Sequence, residues 1–344
     1  MKAGIIGVTG YGGLELFRLL SAHPEIDELF VFSSSKAGQE LSNEVPHLYQ
    51  IFNTKLRSIE QLDPGRLDVL FCSAPSGVSS ELLPPLTQKN LKIIDLAGDF
   101  RINDADTYRK WYRKEPPPAP LADNAVYGLT EWNREQVKKG ELIANPGCYP
   151  TATLLGLLPL LKEGILNPSS LVIDAKSGIS GAGASPQSAT HFSKANDSFS
   201  IYKINEHQHI PEIEQTIKTI ANVDTNITFT THLVPMTRGI MATMYAELAA
   251  GVNSQSIKEI YHECYGKKRF VRIFNEKTNL FTKQVYGSNY CDLTYAVDER
   301  TNRITVVSVI DNLIKGAAGQ AVQNMNVMFD LDESEGLNQL PMFP

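Results

Sequence analysis

Apolar and polar residues in the first hundred positions alternate between strand-like and helix-like segments. Short apolar runs at residues 3–8, 28–33, 69–72 and 92–96 have the length of buried strands. Between them, residues 14–22 place leucines close to one helical face, and residues 78–89 predict a second helix. Strands that alternate with helices predict a parallel sheet covered by helices on both faces.

The pattern changes further along the chain. Residues 101–140 are polar and aromatic, with a proline-rich stretch at 116–120, and this predicts an excursion over the surface. Residues 142–144 predict another strand, and the apolar run 151–161 predicts a helix. Strand-like segments at 171–175, 227–234, 240–248 and 304–310 predict a second domain with a mostly antiparallel sheet. Residues 311–329 then turn helical again.

Length, composition and charge narrow the class of protein. A chain of 344 residues allows about two domains at the usual ~150 residues each. The net charge of −6, without a basic block, argues against a nucleic-acid partner or a membrane surface. No signal peptide or membrane-length apolar stretch is evident, so we expect a cytoplasmic protein. Four scattered cysteines without a C-x-x-C pair give no indication of a metal site or a disulfide framework.

A glycine-rich turn separates the first predicted strand from the first predicted helix. Glycines in this position let the backbone approach a pyrophosphate, which the N–H groups of the helix N-terminus then bind. The spacing is G-x-x-G-x-x-G, and the alternative interpretation is a tight turn without a ligand. The residues expected to contact the cofactor are Gly7, Thr9, Gly10, Tyr11, Gly12 and Gly13.

The end of the second predicted strand indicates which dinucleotide binds. An NAD site usually carries Asp or Glu there, but this chain has Ser34, Ser35 and Lys36. Hydroxyls and an ammonium group suit a 2′-phosphate, so we predict NADP(H); the alternative is an ordinary polar loop. Pro75, in the turn after the third strand, is a further expected cofactor contact.

Cys148 is the strongest candidate for chemistry. It lies in the segment Asn145-Pro146-Gly147-Cys148-Tyr149-Pro150, directly before the predicted helix. The N–H groups and the positive dipole end of a helix N-terminus favour the thiolate, which is the nucleophilic form of cysteine. The alternative is a small buried hydrophobe, the commonest role of an unbridged cysteine.

Two further segments add candidate residues. The small-residue loop with Ser177, Gly178 and Gly181 follows a strand and either packs against a nicotinamide ring or forms a flexible turn. His209 lies in Glu206-His207-Gln208-His209-Ile210-Pro211-Glu212, where Pro211 favours the start of a helix. A histidine near Cys148 would serve as general acid or base, although a lone histidine is more often structural.

Together these motifs resemble those of the N-acetyl-gamma-glutamyl-phosphate reductases of arginine biosynthesis, within the aspartate-semialdehyde dehydrogenase superfamily. The motifs that carry the resemblance are the glycine turn, Asn-Pro-Gly-Cys-Tyr-Pro-Thr, Ser-Gly-x-Ser-Gly-Ala-Gly, His-x-Pro-Glu-Ile and His-Leu-Val-Pro-Met-Thr-Arg-Gly, in that order. The resemblance implies an α/β fold. It consists of a Rossmann-type dinucleotide-binding domain (residues 1–147 and 314–344) and an α+β catalytic and oligomerisation domain (148–313).

The resemblance also implies a reaction, in which NADPH reduces N-acetyl-L-glutamyl 5-phosphate to the 5-semialdehyde with release of phosphate. Cys148 matches the nucleophile that forms a thioester, and His209 matches the acid/base. Arg101 is expected to bind the phosphate, Arg238 to position substrate or catalytic groups, and Asn312 to contact the nicotinamide amide. Gln208 is a departure, because many members have arginine at this position, and a contact made by that arginine is in doubt. The family is usually dimeric or tetrameric, so self-association is expected.

Two alternatives remain open at this stage. The same chemistry on N-acetyl-aminoadipyl phosphate or aspartyl phosphate is one, because a single methylene changes binding by only ~1–3 kcal/mol. The other is a regulator that binds NADP(H) without turnover, although such a protein would need neither Cys148 nor His209.

Overall fold

The computed structural model describes residues 1–87 and 90–343. The contacts divide the chain into two compact units. The first contains Met1–Pro146 and Ala317–Asn338, and the second contains Gly147–Gly316 and the C-terminal residues from Gln339. No helix in the described part of the chain is long and apolar enough to span a membrane.

The first unit contains a six-stranded sheet in which every neighbouring pair is parallel, in the order β2-β1-β3-β4-β6-β5. The strands are β1 (Lys2–Ile6), β2 (Glu28–Phe32), β3 (Val69–Cys72), β4 (Lys92–Asp95), β5 (Val126–Tyr127) and β6 (Leu142–Ala144). All four residues of β3 are buried, as expected for a parallel strand covered on both faces. The strand order reverses beside β1, and such switch points bind ligands at the carboxyl ends of the strands. The predicted parallel sheet is confirmed.

The helices of the first unit connect these strands. They are α1 (Tyr11–Leu20), α2 (Leu41–Glu44), α3 (Ser79–Leu82), α4 (Ala105–Tyr112), α5 (Ala119–Asn124) and α6 (Thr130–Lys139). Single 3-10 turns occur at Pro46–Leu48, Ile59–Gln61 and Pro64–Arg66.

Two predictions for this unit were wrong in part. The helix predicted at 78–89 is only the single turn α3, because Pro84 and Pro85 lack the N–H groups that would extend it; residues 88 and 89 lie outside the described residues. Residues 101–140 are not simply a surface excursion. They contribute strand β5 at the edge of the sheet and helix α6, in which Val137 is fully buried. The polar composition of α6 hides the helix, because Val137 is its only buried apolar residue.

The second unit contains a seven-stranded sheet in the order β11-β12-β13-β10-β7-β9-β8. Its strands are β7 (Val172–Gly178), β8 (Ser200–Tyr202), β9 (Thr228–Val234), β10 (Ile240–Glu247), β11 (Val271–Ile273), β12 (Cys291–Asp298) and β13 (Arg303–Ile310). Only β7–β9 and β11–β12 pair in parallel, so the predicted mostly antiparallel sheet is confirmed. Strands β8, β11 and β12 were not predicted from the sequence.

The helices of the second unit are α7 (Cys148–Lys162), α8 (Phe192–Ala195), α9 (His209–Ala221) and α10 (Ser254–Tyr265). Helix α7 is apolar on all sides, and every residue from Tyr149 to Leu161 is buried. The chain then passes through a π-helical turn, Ile314–Ala318, and returns to the first unit as α11 (Gly319–Met328). Further 3-10 turns lie at Pro168–Ser170, Ile179–Ala182, Ser188–Thr190 and Thr282–Val285.

Candidate active site

Cys148 is the first residue of α7, at the N-terminal end of the most buried helix of the second unit. The residue before it, Gly147, is the N-cap, with extended backbone angles and no capping side chain. The first turn of α7 carries no acidic residue. The thiol is therefore placed where helix N–H groups and the positive dipole end favour an anion.

His209 begins helix α9, and its imidazole ring lies directly against Gly147. A Cβ atom added to Gly147 would lie 2.8 Å from His209 Cε1 and 2.9 Å from Cδ2, so any larger residue would collide with the ring. The structure thus brings the two predicted catalytic residues together, with His209 packed on the residue that precedes Cys148.

Glu212 links the same two segments, and the sequence analysis did not identify it as a site residue. Its side chain is completely buried; Oε1 accepts a hydrogen bond from Gly147 N–H at 2.7 Å, and Oε2 lies 3.9 Å from His209 Nε2. A carboxylate in this position lies close enough to the imidazole to interact with its charge when His209 is protonated. The spacing was the available signal, because residues three apart share a helical face.

A second histidine supports the first. His207 is buried, and its Nδ1 accepts a hydrogen bond from the backbone N–H of His209 at 3.1 Å. The two rings are 4.6 Å apart. Burial lowers the pKa of His207 to about 3, so His207 stays neutral at ordinary pH and holds the backbone of His209 rather than exchanging protons.

Tyr149 and Tyr202 close one side of this cluster. The Tyr202 hydroxyl donates to the Tyr149 hydroxyl at 3.1 Å, and burial raises the pKa of Tyr149 well above its ordinary value. The Tyr149 ring meets His207 and His209 edge to face, at centroid distances of 5.5 and 6.0 Å. The aromatic rings keep this side of His209 dry.

The loop with Ser177, Gly178 and Gly181 is anchored rather than flexible. Ser177 and Gly178 are the last residues of β7, and Gly181 lies in the 3-10 turn that follows. Gly178 N–H donates to Gly239 O at 2.9 Å, and a Cβ on Gly178 would lie 2.7 Å from the Thr237 carbonyl oxygen. Glycine at 178 is therefore required by the close approach of the segment that contains Thr237 and Gly239.

Asn312 fastens the same loops together. Its side-chain nitrogen donates to Ser180 Oγ at 2.9 Å, and its oxygen accepts from Gly239 N–H at 2.7 Å. Arg238, directly before Gly239, lies close to the buried Asp311, with 3.6 Å between Arg238 Nη1 and Asp311 Oδ2. Both predicted residues thus belong to one loop cluster of the second unit.

In the first unit, the glycine-rich turn has the shape that a pyrophosphate site requires. Gly7 has a φ of +80°, and a Cβ on it would overlap the carbonyl oxygen of Ser73; a Cβ on Gly13 would overlap the carbonyl oxygen of Gly7. Gly10 caps α1 without a side chain, and the first turn of α1 has no acidic residue. Gly7 N–H donates to Phe32 O and Gly10 N–H to Gly7 O, so the turn is held by its own backbone. The residues fit a dinucleotide because the N–H groups in the first turn of α1 have no intrahelical acceptors and can bind phosphate oxygens.

The turn that contains Pro75 lies next to this glycine turn, because β3 pairs with β1 and Ser73 N–H donates to Ile6 O at 2.9 Å. Beyond β2, Ser34 and Ser35 are exposed. Lys36 forms an ion pair with Glu44, with 3.1 Å between Nζ and Oε1. The ammonium group that is expected to bind a 2′-phosphate is therefore paired with a carboxylate of α2.

Arg101 is 7% exposed in the first unit. Its Nε donates to Asn145 O at 2.7 Å, and its Nη2 donates to Leu96 O at 2.8 Å. The guanidinium group thus stabilises the segment that leads from β6 to Cys148. The acceptors of these two hydrogen bonds are neutral backbone carbonyl groups.

Comparison with known proteins agrees with this architecture. Residues 2–140 match the family model of the semialdehyde dehydrogenase NAD binding domain, and residues 148–312 match that of the semialdehyde dehydrogenase dimerisation domain. Over 100% of both chains, the sequence is 52% identical to N-acetyl-gamma-glutamyl-phosphate reductase of Geobacillus kaustophilus. It is 49% identical to the enzyme of the same name from Bacillus subtilis, also over the full length of both.

The chain belongs to the N-acetyl-gamma-glutamyl-phosphate reductase family. It is therefore an oxidoreductase with an NAD(P)-binding domain. The fold is shared with solved structures of lower identity. Aspartate semialdehyde dehydrogenase II of Vibrio cholerae is 18% identical, with a TM-score of 0.71 over 96% of this chain and 98% of that one. The NADP complex of the Candida albicans aspartate semialdehyde dehydrogenase is 16% identical, with a TM-score of 0.71 over 95% and 98%.

Proposed function

We propose that this reductase converts N-acetyl-L-glutamyl 5-phosphate and NADPH to N-acetyl-L-glutamate 5-semialdehyde, NADP and phosphate in arginine biosynthesis, through a thioester on Cys148. The observation that carries the proposal is the joining of three groups in the second unit. Cys148 begins a helix, His209 packs against the preceding residue, and Glu212 binds both segments. This is the arrangement of an activated nucleophile with an oriented acid/base.

In the first half of the reaction, the Cys148 thiolate attacks the acyl carbonyl carbon. The bond between that carbon and the phosphate oxygen breaks, and phosphate leaves with its electron pair. Backbone N–H groups in the first turn of α7 stabilise the negative charge on the carbonyl oxygen. The thioester that forms is neutral, and it is a better hydride acceptor than an ester or a carboxylate.

When bound, the nicotinamide cofactor supplies the hydride that reduces the thioester carbon. His209 then donates a proton to the oxygen of the hemithioacetal and accepts one back as the carbon–sulfur bond breaks, releasing aldehyde and thiolate. Glu212 is a positioning residue, since it acts through His209 and Gly147.

The remaining assignments keep the roles predicted from the sequence. The glycine turn with Pro75 binds the cofactor, and Ser34, Ser35 and Lys36 favour NADP(H) over NAD(H). Arg101 binds the phosphate, and Arg238 positions the substrate. The cofactor-binding domain is proposed to span 1–147 with 314–344, and the catalytic domain 148–313. The match of 148–312 to a dimerisation domain supports self-association through the second domain, which light scattering of the purified enzyme measures.

An assay in the oxidative direction tests the function. N-acetylglutamate semialdehyde, NADP and phosphate should yield NADPH, whereas aspartate semialdehyde or the one-carbon-longer homologue should yield at least tenfold less at equal concentration. Cys148→Ala should lose at least 1,000-fold in kcat. Full activity of Cys148→Ala would exclude the thioester, and NADP binding without turnover of any of these aldehydes would favour the regulator.

A further inference from the structure

Lys203 is a cation at the edge of the candidate active site that neither the sequence motifs nor the proposed mechanism uses. It follows strand β8 directly, and its side chain is exposed. Its Nζ donates to Gln208 Oε1 at 2.6 Å. Gln208 is the residue before His209, so a neutral partner binds the ammonium group to the segment that carries the acid/base.

The residue before Lys203 ties it to the same site. Tyr202 donates its hydroxyl hydrogen bond to Tyr149, the residue after Cys148. Lys203 itself has a φ of +47°, in the left-handed region that a residue with a Cβ rarely adopts. Lys203 thus combines an anchored neighbour, a left-handed backbone and a side chain bonded to Gln208, and backbone conformations of this kind concentrate at functional sites.

No carboxylate of the described residues forms an ion pair with Lys203, and its hydrogen-bond acceptor is an amide oxygen. By contrast, Lys36, Lys138 and Lys218 each pair with a carboxylate. An ammonium group bound to the residue before His209 is therefore available to an anion.

We propose that Lys203, held by Gln208, binds an anionic oxygen group of the substrate, a carboxylate or the phosphate. The inference rests on the proposed function for the identity of the substrate, but not for the anion site itself. The proposal also assigns a role to Gln208. An arginine at position 208 would carry its own positive charge, whereas Gln208 positions the charge of Lys203.

The oxidative assay separates the two anions, because the semialdehyde carries the carboxylate and inorganic phosphate is a separate reactant. Lys203→Gln should raise the KM of one of them about 10- to 100-fold, as expected for loss of a charge-assisted hydrogen bond, and change kcat less than about threefold. Lys203→Arg should retain most of the affinity. Lys258→Gln, which removes an exposed lysine from α10, is the matched control.

A second variant keeps the lysine and cancels its charge. Gln208→Glu places a carboxylate within reach of Lys203 Nζ. It should weaken the binding of the same reactant whose KM rises in Lys203→Gln. Calorimetric titration with inorganic phosphate and with N-acetylglutamate gives the affinities without turnover, so the anion site is tested even if the proposed reaction fails. The inference is overturned if Lys203→Gln binds both probes as tightly as Lys258→Gln does, or if kcat falls while both affinities are unchanged.

Discussion

Gly147 donates its backbone N–H to Glu212 Oε1 at 2.7 Å, and this bond joins the start of α7 to the start of α9. The other oxygen of the same carboxylate lies 3.9 Å from His209 Nε2. One buried side chain thus contacts the residue before the candidate nucleophile and lies close to the candidate acid/base. The relation depends on glycine at 147, because the imidazole occupies the space of a side chain there.

Replacing Glu212 should therefore impair catalysis more than binding. Glu212→Gln keeps an acceptor for Gly147 but removes the charge that orients and stabilises protonated His209, so we expect kcat to fall about 100-fold with KM nearly unchanged. The midpoint of the acidic limb in the pH profile of kcat should also move to lower pH. An imidazolium without its carboxylate partner loses its proton more readily.

Two further variants sharpen this test. Glu212→Ala also removes the acceptor for Gly147, and we expect a larger loss together with a lower melting temperature. Glu206→Gln, an exposed glutamate three residues before His209, is the control and should behave as the parent enzyme. A pH profile of Glu212→Gln identical to that of the parent would contradict a role through His209.

The four cysteines should differ sharply in reactivity. Cys72 and Cys291 are fully buried, and burial raises the pKa of Cys264 to about 11. Cys148 is partly accessible at a helix N-terminus. At pH 7, iodoacetamide should modify Cys148 at least tenfold faster than the other three, as read by peptide mass spectrometry. Prior incubation with substrate should protect it, and preferential labelling of Cys264 would argue against an activated thiol.

The sequence predicted those parts of the molecule in which local pattern and function coincide. The strands of the first sheet are apolar runs of strand length, and the glycine turn follows one of them, so both could be predicted without tertiary information. Cys148 and His209 were identifiable because each lies at a helix start with a proline close behind, Pro150 and Pro211.

The contacts between distant segments could not be predicted in this way. From the sequence, Glu212 is only an acidic residue in the first turn of a helix. Its hydrogen bond to Gly147, 65 residues away, is a tertiary contact that the local pattern does not predict. Strand β8 has only three residues, too few to establish a period of two, and the placement of Lys203 depends on it. The strand β5 is likewise too short to show a period of two.

The ion pair between Lys36 and Glu44 should limit the affinity for NADPH. Glu44→Gln releases the ammonium group to the 2′-phosphate, and a partly exposed pair of this kind is worth up to ~1 kcal/mol, so NADPH should bind about two- to fivefold more tightly. The affinity for NADH, which lacks the phosphate, should not change. Glu40→Gln is the control on the same segment, and Lys36→Gln should weaken NADPH binding. An equal gain for both cofactors in Glu44→Gln would show that Lys36 does not contact the 2′-phosphate.

Asp95 should make the stability of the enzyme depend on pH with the sign opposite to that of an ordinary ion-paired carboxylate. It is fully buried, and burial together with the nearby charge of Asp99 raises its pKa to about 7; the Ser79 hydroxyl lies 3.1 Å from Asp95 and 2.8 Å from Asp99. Between about pH 4 and pH 7 the folded enzyme retains a proton that the unfolded chain has released, so the free energy of unfolding falls as the pH rises and levels off above pH 7.

The variant Asp95→Asn lacks this titration. Relative to the parent, it should gain stability across that window, by up to about 4 kcal/mol at pH 8, since one pKa unit corresponds to 1.36 kcal/mol. Urea unfolding at pH 5, 6, 7 and 8 measures this difference, with the exposed Asp123→Asn as control, and a constant difference between Asp95→Asn and the parent at all four values would show that Asp95 is ionised throughout.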